Sequence, residues 1–130
     1  MFKIHSIEDG RVAAIEYLPA GAITPKVGMA LLQTSGNLAL ATGANKPTYI
    51  SMCERATACT AGELIPVIRV LPDMVFETTS SAAMTSIKLG SKVTLHTDAL
   101  QVTATTTDGV AEVVHIADTA AGGAVRVRFA

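Results

Sequence analysis

The sequence predicts an all-β fold, an antiparallel β-barrel or sandwich built from two tandem, internally duplicated β-units. Three observations carry this. First, the chain is written twice. Residues 15–28 read IEYLPAGAITPKVG and residues 76–90 read FETTSSAAMTSIKLG. With one residue inserted in the second copy, Glu16 falls on Glu77, Thr24 on Thr85, Lys26 on Lys88 and Gly28 on Gly90. Further along, Leu38 lies over Leu100, Leu40 over Val102, Ala61-Gly62 over Ala121-Gly122 and Val67 over Val127. A period of about 60 residues is too long for a solenoid and suits a duplicated β-unit. Second, apolar residues alternate with Thr and charged residues at period two, the mark of half-buried antiparallel strands. Third, no segment shows a capped apolar face of helical period.

The elements follow in order. Residues 1–10 form a lead segment ending in the turn signal Glu8-Asp9-Gly10. RVAAIEYL (11–18) is read as a strand, because its counterpart MVFET (74–78) is rich in β-formers. Pro19, Gly21 and Pro25 should then break regular structure, and the matching stretch TTSSAAMTS (78–86) reads as a flexible, hydroxyl-rich loop. MALLQTSGNLALAT (29–42) is a hairpin about Thr34-Ser35-Gly36-Asn37. SKVTLHTDALQVTAT (91–105) is its partner, turning at Thr97-Asp98-Ala99. TYISMC (48–53) and AEVVHI (111–116) are third strands. ELIPVIRV (63–70) and AVRVRF (124–129) close each unit, with Pro66 pointing to an edge or a bulge. About ten strands of roughly five residues result. One domain, 1–130, holds repeat 1 (about 12–70) and repeat 2 (about 73–130).

Composition bounds the function. Of 130 residues, 49 % are hydrophobic and only 16 % charged, so a domain this small must leave apolar surface that another subunit or a larger assembly can cover. Net charge is −1 and no basic stripe with interleaved aromatics occurs, which argues against nucleic-acid binding. Arg126 and Arg128 alternate on a strand and should share its solvent side. No apolar run reaches the roughly 18 residues of a membrane span, and MFKIHSIEDG carries no signal-peptide pattern, so a cytosolic, soluble chain is expected. Cys53 and Cys59 are then expected to stay free thiols.

Candidate chemistry is sparse. Glu16 and Glu77 are the one pair of carboxylates at matched positions, and a pseudo-twofold could bring them together for acid–base work. Exposed strand-end glutamates are the commoner case. His5, His96 and His115 lack HxH or HxxxH spacing; a metal site would have to combine them with Asp98 or Asp118. The glycines match no phosphate-binding motif, and TATTT (103–107) reads as strand end plus loop. The five methionines are scattered and suit core filling. The sequence therefore assigns no catalytic, cofactor-binding or metal residue, and the expectation is a protein that is not an enzyme and needs no cofactor.

One phrase recurs: a glycine, an apolar hairpin about a small turn, a third strand, then Ala-Gly and a closing strand. Here it is VGMALLQTSGNLALAT…TYISM…TAGELIPVIRV. Over about residues 23–130 this resembles the small β-structured decoration or capsid-stabilising proteins of tailed-bacteriophage heads, including prophage-encoded ones. The resemblance implies a non-catalytic structural protein that binds a major capsid protein lattice as a homo-oligomer. It also implies residence in the cytoplasm of a bacterial host and then on the capsid surface of the virion, without nucleic-acid or membrane partners. The family is commonly single-unit, whereas this chain is duplicated, so no functional residue is carried over. The alternative is a small-molecule-binding β-barrel or a minor enzyme, resting on Glu16, Glu77, His96 and the Thr-rich loops.

Overall fold

The computed structural model describes the backbone of residues 1–130 and the side chains of all residues but Asp9. Eleven strands carry the chain: β1 (Lys3–Ile7), β2 (Ile15–Ala20), β3 (Ala30–Thr34), β4 (Asn37–Leu40), β5 (Tyr49–Ser51), β6 (Glu63–Arg69), β7 (Met74–Ser80), β8 (Lys92–Val93), β9 (Gln101–Val102), β10 (Ala111–Ile116) and β11 (Ala124–Arg128). A single 3-10 turn over Glu8–Gly10 is the one helical element among the described residues.

The first half closes on itself. Strands β2-β4-β3-β5-β6 form a barrel, with β2 antiparallel to β6 and meeting β4 in parallel at Ala20↔Leu38. The β3–β4 hairpin turns through Ser35 and Gly36, both at positive φ (51° and 83°), the geometry that matches strand twist in a two-residue turn. The second half, with β1, forms a six-stranded sheet: five strands run in the order β1-β7-β11-β10-β8, and β9 joins at β7. There β7 is antiparallel to β11 and meets β9 in parallel at Ser80↔Val102. An isolated bridge, Leu95↔Val102, links the chain beyond β8 to β9. A second bridge, Gly43↔Leu95, joins the two halves.

Burial explains why the halves stay together. Val67, Leu31 and Leu38 fill the first barrel; Phe76, Val93, Val113 and Val127 fill the second sheet, and all belong to one continuous apolar cluster. The chain's N-terminal segment ties them. Phe2 is buried and meets Phe129 edge-on at 5.7 Å, while Phe129 packs on Phe76 at 5.8 Å. Such aromatic pairs stabilise by about 0.5–1.5 kcal/mol beyond the area they bury. The Phe2 amide donates to the Gly28 carbonyl at 2.8 Å, and β1 pairs with β7 through Lys3↔Glu77 and Ile4↔Phe76. Arg11 forms an ion pair with Asp73, fastening the lead into β2 to the turn between the halves.

Several elements depart from the sequence reading, each for an identifiable reason. The lead segment contains a strand, β1, because Phe2 and Ile4 find apolar cover from both halves. Pro19 does not break β2 but lies within it, opposite Leu64. Lacking an N–H, Pro19 and Pro66 stand on the same side of the β2–β6 ladder, which runs through the alternate positions Glu16, Leu18 and Ala20. Pro66 marks neither an edge strand nor a bulge. β6 lies between β2 and β5, and the β5 ladder ends just before it at Ser51↔Val67. The stretch 78–86 is not a free loop: Thr78 and Ser80 belong to β7, and Met84 is fully buried with its amide donating to the Thr119 carbonyl at 2.7 Å. The expected hairpin over 91–105 is reduced to the bridge Leu95↔Val102, because β8 pairs with β10 and β9 with β7; its turn is held by Asp98, whose Oδ1 accepts from the Leu100 amide at 2.8 Å, with Ala99 left-handed at φ 58°.

Candidate interaction surface

Strand alternation gives β2 and β6 two sides. Glu16, Leu18 and Ala20 share the inner side with Val67, Ile65 and Glu63; Ile15, Tyr17 and Pro19 share the outer side with Ile68, Pro66 and Leu64. The outer side is almost wholly apolar, and Met52 joins it, its amide donating to the Pro66 carbonyl at 3.0 Å. One end of this face is covered. Ile50 and Ile68 are 1 % and 3 % exposed, along a groove shared with Phe2 and Ile4 of the N-terminal segment. The rest is open: Tyr17 is 65 % exposed, Leu64 60 %, Ile15 58 % and Met52 40 %. Seven of the eight large hydrophobic side chains that stand exposed lie in residues 1–70, Leu89 being the exception among the described residues.

The outer side of β7–β11 is built differently. Glu77 accepts from Arg126 Nε at 3.3 Å and lies 3.7 Å from Lys3 Nζ; Arg128 donates to Glu112 at 2.9 Å; Thr79 donates to Gln101 at 3.2 Å. The Arg126 hydrogen bond, with Lys3 close by, holds the Glu77 carboxyl below its ordinary value. One sheet face is thus a charged, water-facing surface and the other an uncharged apolar one.

The residues singled out for chemistry are scattered. Glu16 is bound in a two-pronged pair by Arg69 (Nε to Oε2 3.2 Å, Nη2 to Oε1 3.1 Å), and Arg69 stacks over the Tyr49 ring at 5.3 Å. Glu77 lines a different depression, so the two carboxylates do not share a cleft. His5 and His115 are exposed. His96 does have a partner, its Nδ1 lying 3.2 Å from Asp98 Oδ1. Burial raises the Asp98 carboxyl, but hydrogen bonds from Gln101, the Leu100 amide and His96 outweigh it and hold the group below its ordinary value. Asp118 accepts from the Ala120 amide at 2.9 Å. Within residues 103–107, the Thr103 hydroxyl meets that of Thr94 at 2.6 Å. Cys53 is half-buried and Cys59 buried, both free thiols. Among the described residues no three His, Cys, Asp or Glu side chains gather as a metal site would require. Arg69 lines two shallow depressions, one of about 280 Å³ with Arg11, Glu16 and Met74, the other of about 410 Å³ with Lys46, Thr48 and Tyr49.

No protein-family model matches the chain, and no curated protein matches it.

Proposed function

We propose that the chain is a structural protein that works by its surfaces, binding a repeating lattice as a homo-oligomer, and that the lattice is the shell of a bacteriophage or prophage head. The observation that carries this reading is the contrast between two sheet faces of one small protein. One face is sealed by ion pairs; the other leaves Tyr17, Leu64, Ile15 and Met52 open without a charge among them. A contiguous apolar patch of this kind marks a surface meant for cover. Many weakly binding copies on one lattice gain by avidity, which suits a subunit with one modest contact face.

The two-unit construction belongs to the same proposal. It is supported by matched partners: β2 and β7 each pair antiparallel with the closing strand (β6, β11) and in parallel with an intervening strand (β4, β9). The Gly28 amide donates to Ser51 and the Gly90 amide to Val113, both at 2.8 Å. The register shifts one alignment by a residue. Glu16 stands opposite Val67 and Phe76 opposite Val127, so with the two valines matched, Tyr17 takes the place of Glu77.

The test is copurification. Particles induced from the source host, banded by density and analysed by mass spectrometry, should contain the chain at a copy number commensurate with the shell. Absence from particles while the protein is plentiful in the lysate overturns the reading. The ligand-binding alternative has its best foothold at Arg69, which borders both depressions. Saturable binding of a small anion lost in Arg69→Ala would favour it.

A further inference from the structure

We infer that the outer face of β2 and β6 is a twofold contact between two copies of this chain. The inference rests on the reading of the protein as an assembling structural subunit, and it names the surface and the occupant. Area is the first argument. At roughly 200 Å² for a fully exposed side chain of this size, Ile15, Tyr17, Met52 and Leu64 together leave about 450 Å² open. A specific contact removes about 800 Å² per partner, and in homodimers about 65 % of it is apolar, or about 520 Å². Half-buried Pro19 and Pro66, set among the four, supply the difference.

Charge is the second argument. In a twofold contact each group meets the same patch on its partner, so a net charge would be opposed by itself. The outward row of β2 and β6 carries none: Ile15, Tyr17, Pro19, Leu64, Pro66 and Ile68. The outer side of β7–β11, with Lys3, Glu77, Arg126 and Arg128, is unsuited to that use.

Geometry decides between a face and an edge. β2 meets β4 only at Ala20↔Leu38, which leaves Ile15–Pro19 without a strand on that side. Edge-to-edge extension there is interrupted by Pro19, which has no N–H to donate. The packing is therefore side chain on side chain, with Tyr17 at the centre. An exposed aromatic flanked by prolines is the residue type that anchors such contacts at little entropic cost.

The experiment is sedimentation equilibrium of the purified full chain from 1 to 200 μM, on wild type, Tyr17→Lys and Leu64→Glu, with Glu77→Gln as the control on the other face. Wild type should sediment at twice 13.4 kDa. Tyr17→Lys and Leu64→Glu should each weaken the dimer by at least about 30-fold, the loss expected at a central anchor, while Glu77→Gln leaves it unchanged. Melting curves check that the variants are folded. Tyr17→Cys gives an independent readout: air oxidation should trap a covalent dimer quickly, whereas Thr79→Cys should not. A wild-type monomer throughout the range overturns the inference, and particle copurification then decides the structural reading alone. A wild-type oligomer that survives both charge substitutions also overturns it, while leaving assembly through another surface in place.

Discussion

Replacing Gly28 by alanine tests how the two halves are joined, and Gly90→Ala is its internal control. Both glycines have left-handed backbones, at φ 79° and 89°, and both amides donate across to a neighbouring strand. A Cβ in that conformation costs about 1–2 kcal/mol wherever it occurs. The sites differ in what the Cβ meets. At Gly90 nothing lies within 4 Å; at Gly28 a Cβ would stand 2.6 Å from Met1 Cβ, 2.9 Å from the Phe2 carbonyl oxygen and 3.0 Å from the Phe2 nitrogen. Two of these are backbone atoms, so the N-terminal segment has to move. That segment holds Phe2 against Phe129, and losing a buried phenylalanine costs about 3–5 kcal/mol. Gly90→Ala should therefore cost about 1–2 kcal/mol. Gly28→Ala should cost distinctly more, up to about 5 kcal/mol if Phe2 is expelled. In a melt, each kcal/mol lowers the midpoint by about 3–5 °C for a chain of this length. Combined with Phe2→Ala, Gly28→Ala should be less than additive, because the segment is already released. Equal shifts for the two glycines, or strict additivity with Phe2→Ala, would refute the idea that β1 and Phe2 lock the halves together.

Other expectations follow from the same contacts. Met84→Ala should cost about 2–5 kcal/mol in urea titration because Met84 is fully buried, whereas Met84→Leu should cost under about 1.5; a neutral alanine would mean the 81–86 segment does not pack. The Arg126 hydrogen bond lowers the Glu77 carboxyl from its ordinary 4.5, so its contribution is full above that value and fades as pH falls through the lowered folded one. The stability gap between wild type and Glu77→Gln should thus be constant near neutrality and close in acid; a gap that widens below pH 4.5 contradicts the pairing. Glu16→Gln should change stability only slightly, since the Arg69 end of the pair is exposed, and that small effect should shrink in molar salt.

Much of the fold was legible because period-two alternation and turn glycines are local signals. AEVVHI is β10 without adjustment, and ELIPVIRV, AVRVRF and the Ser35-Gly36 hairpin lie within a residue or two of their expected bounds. What local signals miss is partnership. FKIHSI alternates as a strand does, but only the apolar cover given by Ile50, Ile68 and Phe129 makes it worth ordering. The hydroxyl-rich run 78–86 looks mobile until Met84 is seen inserted in the core. Glu77 and His96 lack partners in sequence because Arg126 is far along the chain and the Asp98 turn is closed by a side-chain hydrogen bond.

The apolar face was hidden for a different reason. Alternation states which residues share a side of a strand and leaves open which side is inward. Read alone, IEYL suggests that Ile15 and Tyr17 point to the core and Glu16 to water. The barrel reverses this: Ala20, Leu18, Ile65 and Val67 lie on its inner side, and Glu16 is tolerated at the end, where Arg69 and Tyr49 close over it. Tyr17 is then forced outward beside Pro66, and Leu64 beside Pro19. The same closure that gives the first half a well-filled interior therefore turns Ile15, Tyr17 and Leu64 outward, and the surface they form is the one the twofold contact would cover.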